Sequence, residues 1–167
     1  MNAKKRVQKI TPFLWFADGK AEEAVHFYTS LFKKSRIASI ARYGDEIPGM
    51  KGKVLTAVFE LNGQKFMGID GNAPFRFTEA LSLLVNCDTQ DEVDYFWEKL
   101  SEGGQKGQCG WLKDKYGLSW QIVPAALGKL MTSKDPEKSQ RVMQALMKMT
   151  KIEIRVLEQA YKTYGFT

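Results

Sequence analysis

One histidine, two cysteines and a scatter of carboxylates are all that this chain offers for general chemistry. His26 sits between Val25 and Phe27 in a helical pattern, on the face shared with Glu22 and Thr29 that the apolar residues do not use. A lone imidazole without an orienting partner is read as a solvent-facing side chain, so neither a Ser-His-Asp nor a Cys-His arrangement is supported. The groups left for proton transfer are Asp70, Glu60, Tyr43 and Cys109. Cys87 and Cys109 lack the density and the CxxC spacing of a disulfide or zinc framework and are expected to be reduced. The glycine cluster at residues 103–107 (GGQKG) follows a helical pattern and not a strand, so it reads as a helix stop and loop, not as a phosphate cradle. Residues 109–124 (CGWLKDKYGLSWQIVP) read as two short strands joined by a turn at Asp114, Lys115, Tyr116 and Gly117, with Asp114 a turn residue and the neutral amide of Gln121 on the second strand.

The elements that must position these groups form one pattern met twice. Residues 8–16 are apolar and β-prone, and residues 19–32 place Ala21, Ala24, Val25, Phe27, Tyr28, Leu31 and Phe32 at helical spacing. Strands follow over residues 35–43, 54–61 and 65–70, the last two joined by Asn62-Gly63, a strong hairpin signal. The pattern restarts with a strand over residues 80–87 and a helix over residues 89–101, which Asp88 or Thr89 can cap. At an offset of 69 residues Glu22 falls on Asp91, Ala24 on Val93, Phe27 on Phe96, Tyr28 on Trp97 and Leu31 on Leu100, the mark of an internal duplication. Strands over residues 105–113 and 118–123 make the second copy βαββ against βαβββ for the first, with one short strand lost or irregular between Gly103 and Gly110. After Pro124, helical periodicity runs over residues 125–131, 136–149 and 151–164; Val142, Met143, Leu146, Met147 and Met149 form a methionine-rich stripe that reads as an interface or cap.

At 167 residues, 44% hydrophobic and 12% aromatic, the chain can bury a substantial core. No apolar run approaches the roughly 20 residues that cross a bilayer, and the charged opening MNAKKRVQK leads into no signal-type segment, so a cytoplasmic protein without a membrane partner is expected. The net charge of +6 is unevenly placed. Residues 1–9 carry four positive charges, residues 129–167 carry eight Lys or Arg against four Asp or Glu, and residues 10–128 carry thirteen against fifteen. Interleaved charge of this kind is a solvated helix face, and without an aromatic-and-basic RNA motif or a helix-turn-helix pattern it predicts no nucleic-acid partner.

The duplicated unit, closing on an aspartate-turn-glycine strand, resembles the vicinal oxygen chelate superfamily over residues 8–124. Within it the runs TPFLWFADGKAEEAVHFYTSLF, CGWLKDKYGLSWQIVP and RVMQALMKMTKIEI are similar to the PhnB-like branch, also labelled a 3-demethylubiquinone-9 3-methyltransferase domain. The resemblance implies an α+β fold of paired βαβββ modules (residues 8–70 and 80–124) with a helical C-terminal extension over residues 125–167. In metal-dependent members each module supplies two ligands to a divalent ion held in a cup. Setting the motif DPDGxxxEL against residues 114–122 places the final ligand glutamate on Gln121; the first-strand ligands fall near Thr11 and Ser82, and the remaining one near residues 68–70. Hydroxyls, an amide and at best Asp70 make a poor first shell for a hard or borderline divalent ion, so no metal and no cofactor is expected. The first strand leads into Phe16-Ala17-Asp18-Gly19-Lys20, which is not the glycine-rich turn that holds S-adenosylmethionine on a parallel α/β sheet, and methyl transfer is not expected.

If Thr11, Ser82 and Gln121 face inward, so do their period-two neighbours. The pocket candidates are then Thr11, Phe13, Trp15, Asp70, Ser82, Leu84, Trp111, Trp120 and Gln121, an aromatic and aliphatic lining with a few hydroxyl and amide groups. Trp111 and Trp120 also suit a purely structural role in a small sheet. The expected function is binding of a small apolar or aromatic molecule in a metal-free cup by a homodimer, since relatives complete or cover their cups across a two-fold. The alternatives are a metal-independent isomerase, lyase or transferase of the same superfamily, and an interaction protein whose C-terminal helices recruit a partner.

Overall fold

The computed structural model describes residues 8–162. The chain divides into two compact units, Met1–Arg76 and Phe77–Thr167.

The first unit holds β1 (Phe13–Phe16), α1 (Ala21–Leu31), β2 (Arg36–Arg42), β3 (Val54–Leu61) and β4 (Gln64–Asp70), with strand order β1-β4-β3-β2. β1 runs parallel to β4, and β2 and β4 run antiparallel to β3. The β3–β4 turn carries Asn62 and Gly63 at φ 48° and 81°, the left-handed conformation that this dipeptide tolerates. Alternation sends Leu14, Phe16, Phe59 and Phe66 into the core with Ala24, Val25 and Tyr28 of α1, all of them buried. Nothing on the residue before α1 caps it with a side chain; the Asp70 carboxylate at the end of β4 accepts from the Ala21 amide at 2.8 Å and from the Val54 amide at 2.8 Å. β1 is shorter than its apolar pattern, so Thr11 precedes the strand, although the Met67 amide still donates to the Pro12 carbonyl at 2.9 Å.

The second unit repeats the topology with β5 (Ser82–Cys87), α2 (Gln90–Ser101), β6 (Gln105–Lys106), β7 (Trp111–Lys113) and β8 (Ser119–Pro124), in order β5-β8-β7-β6. The second copy is therefore βαβββ as well. What reads as one strand over residues 105–113 is two short antiparallel ones, because Cys109 and Gly110 adopt φ 56° and 82° between them. The glycine cluster follows from packing against this hairpin. A Cβ on Gly104 would stand 2.1 Å from the Lys113 carbonyl oxygen, and one on Gly107 would stand 2.8 Å from that of Trp111. Of the two possible caps for α2 the structure uses Thr89, which accepts from the Glu92 amide at 3.2 Å, while the Glu92 carboxylate accepts from the Asp88 amide at 2.7 Å.

The extension folds into this second unit as α3 (Ala125–Met131), α4 (Pro136–Leu146) and α5 (Ile154–Lys162), around buried Val142, Leu146, Ile152 and Leu157. Asp135 caps α4 ahead of Pro136. The helix expected over residues 136–149 ends at Leu146, and residues 147–153 form a strap instead. The strap accepts from the Cys109 and Gly110 amides through Met149 O at 2.8 Å and Thr150 O at 2.7 Å. Gln90 of α2 donates to Ile152 O at 3.1 Å and accepts from the Ile154 amide at 2.8 Å, and Lys151 pairs with Asp94 at 2.6 Å. The methionine stripe divides accordingly. Met149 packs against the helical core, whereas Met143 and Met147 are exposed. The last helix is expected to reach residue 164; residues 163 and 164 lie outside the described residues.

Candidate functional site

Each sheet has one face covered by its own helix and one face that the helix does not cover, and the expected pocket residues divide between them. In the first unit the register pairs Phe13 with Met67 and Trp15 with Ile69 on the uncovered face, and alternation puts Val58 of β3 beside Met67. Phe13 is half exposed and Trp15 half-buried. Trp15 lies over Gly71, where a Cβ would stand 1.7 Å from the indole, and its Nε1 donates to the Ala73 carbonyl at 3.3 Å. Phe75 adds an edge-on ring 5.2 Å from it, and Arg76 reaches Asp18 at 3.5 Å. The stretch from Gly71 to Arg76 thus folds back on Trp15, an arrangement the pattern of residues 71–79 read only as a loop.

Asp70 was expected at the pocket and stands on the other face. It pairs with Phe16, one residue out of phase with Ile69, and is only 2% exposed with both oxygens occupied by backbone amides. Of the other groups expected for proton transfer, Glu60 is ion-paired with Arg36 at 2.8 Å, the Cys109 thiol donates to the Leu146 carbonyl at 3.5 Å, toward the extension, and Tyr43 follows the end of β2, half-buried. His26 is exposed on α1 as expected. The Cys87 thiol is pushed up to about 12, first by burial and then by Glu92 and Asp88, which leaves it an inert core residue.

In the second unit the uncovered face gathers Ser82, Leu84, Ser119, Gln121 and Trp111. Ser82 pairs with Ser119, Leu84 with Gln121, and Trp111 with Gln121 from the other side. Gln121 Nε2 donates to Ser82 Oγ at 2.9 Å, so two positions expected to share a site do meet. Trp120, also expected at the pocket, is displaced by one residue of alternation onto the α2 side, 2% exposed, with its Nε1 donating to Asp114 Oδ2 at 2.8 Å. Asp114 Oδ1 in turn accepts from the Tyr116 and Leu118 amides at 2.8 and 3.1 Å, which makes it the buried anchor of the β7–β8 turn. Ser119 is the member of this face that the pocket expectation passed over. It is 1% exposed and its hydroxyl has no hydrogen-bond partner among the described residues. Lys113, beside it in register, is paired with Glu79, and this pairing holds the Glu79 carboxyl below its usual range.

These residues do not fit a divalent ion. The glutamate position is an amide bonded to a serine, the one carboxylate near the expected ligands is turned into the core, and among the described residues no three His, Cys, Asp or Glu side chains come together. Nor do they fit S-adenosylmethionine on a doubly wound sheet, since both sheets are mixed and the β1–α1 connection carries Asp18 and Gly19 at φ 63° and 70° without a glycine-rich turn.

The family described as 3-demethylubiquinone-9 3-methyltransferase matches residues 8–123, stopping short of α3 and of the tail run RVMQALMKMTKIEI. Among solved structures, a PhnB protein from Bacillus cereus with the same family description is 50% identical, with a TM-score of 0.66, covering 71% of this chain and 100% of its own. Protein PA1353 from Pseudomonas aeruginosa shares the fold at 22% identity and a TM-score of 0.62, covering 70% of this chain and 97% of its own. The fosfomycin resistance protein FosX from Listeria monocytogenes does so at 13% identity and a TM-score of 0.53, covering 76% and 98%. No curated protein matches the chain. A matched domain that spans both βαβββ modules, together with a half-identical PhnB relative aligned over its whole length, places the chain in the 3-demethylubiquinone-9 3-methyltransferase family.

Proposed function

We propose that this PhnB-like protein binds a small apolar or aromatic molecule without a metal ion, using the strand faces its helices leave uncovered, and that it works as a homodimer. The observation that carries the reading is the Gln121–Ser82 hydrogen bond, in which two positions that the superfamily pattern assigns to metal ligands satisfy each other as neutral groups. Phe13, Trp15, Met67 and Ile69 supply apolar and aromatic surface in the first unit, and Leu84 and Trp111 do so in the second. Exposed Phe13 and Leu84, at 50% and 49%, are large apolar groups of the kind that mark ligand or subunit contacts. The family description does not carry methyl transfer to this chain, because the fold lacks the cofactor cradle that reaction ordinarily uses.

Native mass spectrometry of protein purified without chelators tests the reading. The expected spectrum shows a dimer without stoichiometric metal, to which small aromatic compounds add at one per chain. A divalent ion retained at one per chain and lost in Gln121→Leu would overturn it.

A further inference from the structure

The uncovered face of the second unit holds a row of polar groups whose hydrogen-bonding capacity is unfilled. Ser119 Oγ is buried and has no hydrogen-bond partner among the described residues. Buried hydroxyls are nearly always hydrogen-bonded, so a chain that keeps one in this state keeps it for something. Its cross-strand partner is Ser82, and Gln121 is two residues along the same strand, on the same face. Ser82 Oγ accepts from Gln121 and so retains its own O–H to donate, while Gln121 retains its amide oxygen. The row therefore offers donors and an acceptor together, and none of the three groups is charged. The charged side chain that the register sets beside Ser119, Lys113, is neutralised by Glu79. Leu84 and Trp111 flank the row with apolar surface.

Resting on the small-molecule reading above, we infer that the ligand is a neutral planar molecule whose polar edge, a primary amide or a carbonyl beside a hydroxyl, docks on Ser82, Ser119 and Gln121 with its apolar body over Leu84 and Trp111. A carboxylate or an ammonium is disfavoured there, because stripping water from a charge against uncharged partners costs more than these groups return. A purely apolar molecule is disfavoured too, since it leaves the row unfilled.

The test titrates the full chain with three ring compounds of similar size, benzamide, sodium benzoate and toluene, followed by 1H–15N NMR. The inference expects benzamide shifts concentrated at Ser82, Ser119, Gln121 and the Trp111 indole, with a Kd at least tenfold below that of either other compound. Ser119→Ala and Gln121→Leu each weaken benzamide at least fivefold and leave toluene unchanged, and the amide spectrum itself reports whether each variant is folded. Toluene binding as tightly as benzamide would leave the binding reading standing and overturn this one, as would benzoate binding as tightly. Benzamide affinity unchanged in folded Ser119→Ala would show that the hydroxyl serves a buried water, which also overturns the inference. Failure of all three compounds to bind would sink the binding reading with it.

Discussion

Phe13 and Met67 occupy the register positions in the first module that Ser82 and Ser119 occupy in the second, and Trp15 and Ile69 those of Leu84 and Gln121. The two copies keep the same strand order and the same helix offset, yet one uncovered face is aromatic and aliphatic while the other is largely hydroxyl and amide. The helix sides differ as well. Phe16 faces Asp70 across β1 and β4, whereas Val85 faces Ile122 across β5 and β8. The cause lies in how each helix start is satisfied. α2 carries its own cap in Thr89 and Glu92, so β8 can end in apolar residues; α1 has no side-chain cap of its own, and a carboxylate from β4 takes the place. The duplicated scaffold thus tolerates divergence wherever a backbone group can be satisfied from either side, and Asp70, which has the residue type of a ligand or base, is the cost of that divergence.

Changing Asp70 gives the largest break in this comparison. Asp70→Ala leaves the Ala21 and Val54 amides buried without acceptors and should lower stability by about 3 kcal/mol in urea unfolding. The matching substitution Ile122→Val should cost only about 1 kcal/mol. A loss at Asp70 no larger than at Ile122 would show that α1 is not pinned there. Gly71→Ala tests the first uncovered face, because the added methyl collides with the Trp15 indole. We expect a loss of about 2 kcal/mol with a changed tryptophan emission; an unaltered spectrum would mean that Trp15 does not rest on this backbone.

The extension folds with the second module, and its ties there are smaller in energy. Residues 77–128 carry four Lys or Arg against eight Asp or Glu, the reverse of residues 129–167, so the basic end of the chain folds onto an acidic module. Lys151, then Gln90, hold the Asp94 carboxyl below its usual range, and Asp94 raises Lys151. The depressed carboxyl contributes stability that is present above its unfolded pKa and lost as pH falls through the folded one. The raised ammonium contributes stability that is lost only as pH rises past its own folded pKa, beyond the ordinary lysine range. Amide protection at the Gln90–Ile152 and Gln90–Ile154 contacts, taken relative to the intrinsic exchange rate at each pH, should therefore be level through neutral pH and fall only in acid. Lys151→Ala should remove the acid-side change at less than about 1 kcal/mol, since the pair is partly exposed. Ser119→Ala has the smallest effect, within about 0.5 kcal/mol of the parent and on the stabilising side, because it deletes a hydroxyl without a partner among the described residues. A clear loss in thermal unfolding would show that the hydroxyl is partnered.

Much of this architecture can be read from the residues. The 69-residue offset that sets Tyr28 on Trp97 predicts two helices burying those side chains, and both are buried. Asn62-Gly63 and the aspartate turn predict their hairpins. Phase was harder to read than existence. Asp70 and Trp120 each sit one residue from a position on the uncovered face, and alternation alone cannot say which parity points where until the parallel partners Phe16 and Leu83 fix it. β6 merged with β7 in the reading of one strand over residues 105–113, because a two-residue strand has no periodicity of its own to set it apart. The strap over residues 147–153 was hidden by methionines that fit a helix equally well, and its conformation is decided by backbone bonds to Cys109 and Gly110. Ser119 was legible as a period-two neighbour of Gln121, but its missing partner was not, since that exists only in three dimensions.

Whether the second module's face takes a neutral ligand in place of an ion is tested most directly by Mn2+ titration followed at the Gln121 side-chain amide resonance. We predict that one equivalent of Mn2+ leaves the Gln121 and Ser82 signals as sharp as those of the rest of the sheet. Their selective loss at one equivalent, abolished in Gln121→Leu, would contradict it.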